Sequence, residues 1–319
     1  MKNTNANYLQ LFTAVLVKFV FMKANINQQA GRFIFPNQGL DYELIDSGNR
    51  RKLERFGKVL LNRPESIATW KPNLGKGTWE KAQWYFFEEK GKTGVWKQNH
   101  PAEKEWEVGY ALEDISLKFY LELTSFKHVG LFPEQAANWF YIHKQIKRIQ
   151  AEEIKVLNLF AYTGAASIVA AKSGAKVTNV DSVKQVLNWG RKNAGINQEE
   201  NIRWILEDAR RFVEKAIRRD EKFHGIILDP PIFGMGAKKE VWKLEQDLKP
   251  LLESLMQVID KNQNFFVLNT YSPKLPMPLL KNMLKETRRF PKQFESGTLG
   301  LVSSSKQQLG LGNLIRFYT

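Results

Sequence analysis

The chain contains no cysteine in its 319 residues, which removes disulfides, thiolate metal sites and thiol nucleophiles together and fits a reducing, cytoplasmic setting. Histidine is scarce as well. The four, His100, His128, His143 and His224, are scattered without metal-ligand spacing, so no metal is expected. The longest apolar stretch, Tyr8 to Met22, is interrupted by Lys18 and is too short to span a bilayer. No small-residue cleavage pattern follows it, which argues against a secretory signal, and a membrane partner is not expected. Internal repeats and low-complexity tracts are also missing.

What the chain has in excess is positive charge. Its 48 Lys and Arg exceed 33 Asp and Glu by 15, and such a balance favours polyanions, nucleic acid first and an acidic membrane surface second, with general solubility as the plain alternative. Charged residues at 25% and apolar residues at 43% describe an ordinary globular protein long enough for two domains.

Three segments are expected. Residues 1–37 read as an N-terminal extension, with translation expected to begin at Met22, where a polar stretch opens. Residues 38–125 read as a small β-rich domain, with strands at Lys58 to Leu61, Glu105 to Tyr110 and Ile115 to Thr124. The aromatic run Trp79 to Glu89, the turn Gly91 to Gly94 and Val95 to Lys97 make a hairpin. Its tryptophans, Trp70, Trp79, Trp84, Trp96 and Trp106, could stack bases beside Arg50, Arg51, Lys52, Arg55 and Arg63. The favoured reading of any one of them is that it fills the core of a thin module and packs it on its neighbour.

Residues 126–319 alternate between strand and helix, which predicts an α/β fold with a Rossmann-like, doubly wound parallel sheet. Strands are expected at Lys155 to Phe160, Lys176 to Val180, Ile202 to Leu206, Gly225 to Leu228 and Asn264 to Asn269. Helices are expected at Glu134 to Gln150, Ala165 to Ser173, Val183 to Ala194, Ala209 to Arg218, Val241 to Asp260 and Pro278 to Thr287, with a closing β-hairpin within Leu299 to Tyr318. The organising stretch is Lys155 to Gly164, an apolar strand that breaks at Phe-Ala-Tyr-Thr-Gly and resumes as an Ala-rich helix. That turn has one glycine, so the three-glycine fingerprint of NAD and FAD binding is not met.

Ligands of such sheets bind at the carboxyl ends of the strands, where four features fall in order. In Phe160-Ala-Tyr-Thr-Gly164 a small residue allows close backbone approach. Asp181 can accept from two ribose hydroxyls, and Asp208, beside Ala209, can read an adenine edge. Both aspartates could instead cap the helices that follow. Asp229-Pro-Pro-Ile-Phe233 suits a planar amine or base: its prolines contribute no N–H, its carbonyls and carboxylate can accept, and Phe233 can stack on an extruded ring.

This ordered set resembles the class I S-adenosylmethionine-dependent methyltransferases, in particular the bacterial family related to the 23S rRNA cytosine-C5 methyltransferase. The likeness includes Tyr42 to Arg63, Gly130 to Gln135, Glu240 to Glu245, Asn269 to Ser272 and Glu295 to Leu301. The resemblance implies S-adenosylmethionine as cofactor. Phe160, Tyr162, Thr163 and Gly164 would line its methionine end, Asp181 and Ser182 its ribose, and Asp208 and Ala209 its adenine, with Phe132 and Gln135 closing over it. Asp229, Pro230, Pro231 and Phe233 would face the acceptor, with Asp229 also near the cofactor. Two departures stand out. The thiolate that cytosine-C5 chemistry needs is absent, the corresponding stretch reading Asn269-Thr-Tyr-Ser272, and Ile232 stands where many relatives carry lysine. The expectation is therefore methylation of RNA, ribosomal RNA included, at a nitrogen without covalent catalysis. The alternatives are a protein or small-molecule amine as acceptor, or a non-catalytic RNA-binding protein that retains the fold.

Overall fold

Every residue of the strands Gly225–Leu228 and Phe265–Thr270 is buried, as parallel strands covered by helices on both faces must be. The computed structural model describes residues 32–36, 39–89, 93–236 and 240–319. The expected start at Met22 and most of the 1–37 extension lie outside the described residues. So do the expected turn residues Gly91 and Lys92.

The strands are Phe33–Ile34 (β1), Tyr42–Gly48 (β2), Arg51–Phe56 (β3), Val59–Pro64 (β4), Trp84–Glu88 (β5), Gly94–Gln98 (β6), Glu105–Leu112 (β7) and Ile115–Glu122 (β8). Helix Ala136–Arg148 (α1) follows a single tight turn at Pro133–Gln135. Then come Ile154–Leu159 (β9), Ala165–Lys172 (α2), Ala175–Asp181 (β10), Lys184–Ile196 (α3), Ile202–Leu206 (β11), Ala209–Arg218 (α4) and Gly225–Leu228 (β12). A ribbon of Phe233–Met235 (β13) and Val241–Lys243 (β14) leads to Leu244–Val258 (α5), Phe265–Thr270 (β15), Met277–Glu286 (α6), Glu295–Val302 (β16) and Gln308–Tyr318 (β17).

The large sheet runs β1-β16-β17-β15-β12-β9-β10-β11. Strands β9, β10, β11, β12 and β15 are parallel, and β17 runs antiparallel to both β15 and β16. Strand order reverses between β9 and β12. An open α/β sheet has its ligand crevice at that point, outside the carboxyl ends. At the far edge β1 pairs in parallel with β16, Phe33 opposite Thr298, so part of the expected extension is built into the sheet.

The N-terminal region forms a five-stranded sheet, β2-β3-β4-β5-β6, and the separate hairpin β7-β8. The hairpin packs on α1, where the Trp139 ring lies 5.1 Å from Tyr110 and 5.4 Å from Phe119. Strands β2 and β3 were hidden in the sequence because they bury polar side chains alongside apolar ones: Asp46, Ser47, Lys52 and Glu54 are all buried, as are Leu44, Leu53 and Phe56. Glu54 accepts from the Arg63 guanidinium (2.8 Å) and pairs with Lys52, and these cations hold it at about 2, below the usual carboxylate range, against its burial.

The tryptophans chiefly pack. Trp84 and Trp106 are buried, while Trp70, Trp79 and Trp96 donate their indole N–H to Ser47 O, Asp46 Oδ2 and Thr124 O. One helix boundary also differs from expectation. The helix assigned from Val241 starts at Leu244, because Val241–Lys243 pairs with Phe233–Met235 and buries Trp242.

Candidate active site

The turn after β9 is strained. Phe160 (φ 56°), Tyr162 (φ 52°) and Gly164 (φ 76°) all sit in the left-handed region, where non-glycine residues are uncommon and where such conformations gather at functional sites. A Cβ on Gly164 would lie 2.7 Å from the Trp204 ring, so the glycine is required by β11 packing beneath the turn as well as by its own backbone. Thr163 ties the turn to the preceding loop by donating to Gly130 O at 2.6 Å.

Two crevices open at the carboxyl ends of the strands, with Phe160 forming part of both walls. The first, about 350 Å³ measured to its open mouth, lies against Asp181, Ser182, Glu207, Asp208 and Ala209, and Pro231, Gly234, Met235, Glu240 and Trp242 close its other side. The second, about 440 Å³, lies against Gly130, Phe132, Gln135, Ala161, Tyr162, Thr163 and Asp229.

Asp181 accepts from the backbone N–H of Tyr162 (3.0 Å) and of Val183 (2.9 Å). Burial raises its pKa while those amides hold it down, and a buried carboxylate of this kind favours further donors such as hydroxyls. Asp208 does cap its helix: it accepts from the N–H of Arg210 and Arg211 and pairs with the Arg210 guanidinium at 3.0 Å. It lines the first crevice all the same.

Asp229 ends β12 in the second crevice. Burial, reinforced by the neighbouring Glu134 charge, pushes its carboxyl up to about 7. Gln135 Nε2 donates to Asp229 Oδ2 (3.1 Å) and to the Tyr271 hydroxyl (2.9 Å), and Tyr271 in turn donates to Glu134 Oε1 (3.3 Å). Asn138 donates to Gln135 Oε1 (2.8 Å) and so orients that amide. Glu134, Asn138 and Tyr271 were not singled out from sequence. Glu134 and Tyr271 did stand inside two of the stretches that carry the family resemblance.

Two expectations about the Asp229–Phe233 loop need correction. The Pro231 carbonyl is not free, because Trp242 Nε1 donates to it at 2.7 Å. Phe233 sits on the ribbon with 55% of its surface exposed, outside the lining of both crevices. Ser272, in the stretch that replaces the cysteine of the relatives, donates to Glu245 at 3.0 Å and is buried.

A family model described as S-adenosylmethionine-dependent methyltransferase matches residues 89–287. The chain belongs to the S-adenosylmethionine-dependent methyltransferase family. Its sheet order is that of the class I fold. A solved S-adenosylmethionine-dependent methyltransferase from Agrobacterium tumefaciens is 31% identical, superposes with a TM-score of 0.81, and shares 91% of this chain and 96% of its own. Among curated proteins, Ribosomal RNA large subunit methyltransferase K/L of Shewanella frigidimarina is 30% identical over 173 residues, which is 50% of this chain and 22% of that protein. The Pseudoalteromonas translucida protein of the same name is 33% identical over 152 residues, 46% of this chain and 20% of its own. The chain thus spans about a fifth of the length of these curated relatives.

S-adenosylmethionine is the cofactor, and the donor set fits it. Acidic side chains line the first crevice where hydroxyl and amine donors would lie, and aromatic faces line the second. Phe132 is 5.3 Å from Tyr162, which is 6.5 Å from Trp189. Among the described residues no helix is long and apolar enough to cross a membrane.

Proposed function

We propose that this methyltransferase acts in the cytoplasm on RNA, ribosomal RNA in the first instance, and places the methyl group on a nitrogen of an exposed base. The observation that carries the reading is Asp229. It is a buried carboxyl held near neutrality at the mouth of the acceptor crevice, with a neutral amide donor at its back and no thiol anywhere in the chain. The basic excess of 15 charges and the ribosomal RNA named for the curated relatives support RNA over a protein or small-molecule amine.

In this reading the region from 38 to 125 is a substrate-side module on a catalytic domain of 126–319. Asp181 and Ser182 hold the ribose of the cofactor, Asp208 and Ala209 its adenine, and Phe160, Tyr162, Thr163 and Gly164 surround its methionine end, with Phe132 and Gln135 closing over it. S-adenosylmethionine supplies an electrophilic methyl group on a sulfonium. Asp229 accepts the N–H of the incoming base, turns its lone pair toward the cofactor crevice, and takes the proton released once the nitrogen carries the methyl group. Pro230 and Pro231 fix the backbone that aims this carboxylate. Phe233, on the exposed ribbon, stacks on the nucleotide beside the target.

The test is a nucleoside mass comparison of ribosomal RNA from cells with and without the protein. One missing N-methylated nucleoside, restored by the purified enzyme, is expected. A missing C5-methylated pyrimidine, or no change in RNA together with methyl transfer to a protein, would overturn the proposal.

A further inference from the structure

We propose that the outer face of the β5–β6 hairpin is a second RNA contact, a stacking platform for single-stranded nucleotides flanking the target. The inference rests on the RNA reading above and extends it to a part of the chain that neither crevice includes.

The strand pattern forces the arrangement. Along β5, Trp84 and Phe86 face inward and are buried, which sends Tyr85 and Phe87 to the other face. Their partners across the hairpin are Lys97, opposite Tyr85, and Val95, opposite Phe87. Phe87 and Val95 are 40% and 42% exposed. The Tyr85 and Phe87 rings lie 4.5 Å apart, the Arg51 guanidinium sits 3.9 Å over Tyr85, and Lys97 Nζ lies 4.6 Å over Phe87. The result is an unbroken row of cation, ring, ring and cation on one sheet face.

Arg51 is fixed rather than mobile. It donates to Asn62 Oδ1 (2.5 Å), Asn62 O (2.9 Å) and Phe86 O (2.9 Å), so the plane of its guanidinium is set before any ligand arrives. Bases stack on aromatic faces and on arginine planes alike, and the positive charge between them suits a phosphate backbone. An apolar protein partner would gain nothing from the two cations. A phosphate-only ligand would gain nothing from the rings.

The platform is also connected to the acceptor crevice. Gly94 donates its N–H to Ser125 O (2.9 Å) and the Trp96 indole donates to Thr124 O (2.9 Å). These bonds hold the start of the loop that continues through Lys127 and His128 to Phe132 in the crevice wall. Exposed Phe126 stands on that loop.

The experiment measures binding of a short fluorescein-labelled oligouridine to the full chain by anisotropy at several salt concentrations, alongside methyl transfer to ribosomal RNA from cells lacking the protein. Phe87→Leu, which keeps the apolar contact and loses the aromatic face, is expected to weaken oligouridine binding about tenfold, while Phe87→Trp retains it. Lys97→Gln is expected to lower the log–log salt slope by about one. Variants that bind oligouridine as the parent does would overturn the platform, whatever happens to methyl transfer. Equal competition by polyglutamate would do the same, by showing a mere cationic patch. A parent protein that methylates no ribosomal RNA but still binds oligouridine through Phe87 would instead sink the proposed substrate and leave the platform standing.

Discussion

The side-chain amide of Gln135 serves two acceptors at once, Asp229 Oδ2 at 3.1 Å and the Tyr271 hydroxyl at 2.9 Å, and Asn138 fixes its orientation from behind. Gln135→Leu removes the donor and leaves a buried carboxyl without it. Methyl transfer is expected to fall about 10- to 100-fold in kcat, and because Gln135 is also proposed to close over the cofactor, cofactor Kd is expected to rise by a smaller factor. Single-turnover kinetics with radiolabelled cofactor separates the two effects.

The acid limb of kcat/KM should fall near pH 7, since Asp229 must be ionised to accept an N–H and its carboxyl is held up at about 7. Glu134 contributes to that elevation, so Glu134→Gln is expected to move the limb to lower pH. A limb that stays in place, or moves upward, would remove Glu134 from the account.

The same group gives a stability prediction whose sign is opposite to that of an ordinary salt-bridged carboxylate. Its folded pKa lies above the unfolded one, so the folded state favours the protonated form. Stability from this group therefore declines as pH rises from about 4 to about 7, by about 4 kcal/mol at most. Asp229→Asn should flatten that part of the denaturation profile and raise stability at pH 8.

Asp181→Ala is expected to weaken S-adenosylmethionine binding about 10- to 100-fold, as loss of a charged hydrogen-bonding partner does, while Asp229→Ala abolishes transfer and spares the cofactor. Isothermal titration with S-adenosylhomocysteine reads both. Unchanged affinity in the first variant would remove Asp181 from the ribose contact.

Gly164→Ala should cost about 1–3 kcal/mol, because its φ of 76° disfavours any side chain and the new Cβ would press on Trp204. Thermal unfolding of Gly164→Ala with and without Trp204→Leu separates the contributions. The second change should recover the clash and not the backbone penalty.

The catalytic domain was readable because its central strands are short, largely apolar segments, three of which, β10, β11 and β12, end in or are followed by acidic residues. Ile202–Leu206, Gly225–Leu228 and Ala209–Arg218 appear with the bounds that periodicity gives. The N-terminal sheet was less readable because β2 and β3 bury a charged cluster, so their inward faces do not alternate apolar with polar. Trp242 was missed for a related reason: it lies in an apolar stretch that reads as the start of a helix, yet its indole binds the Pro231 carbonyl. The Gln135, Tyr271 and Glu134 network joins residues about 136 apart in sequence, a link that no local spacing records.

The ribbon of β13 and β14 carries the exposed Phe233 on one strand, while Met235 and Trp242 roof the crevice beside Asp181 and Asp208. One short two-stranded element therefore borders the crevice on its inner side and presents an aromatic ring to solvent on its outer side.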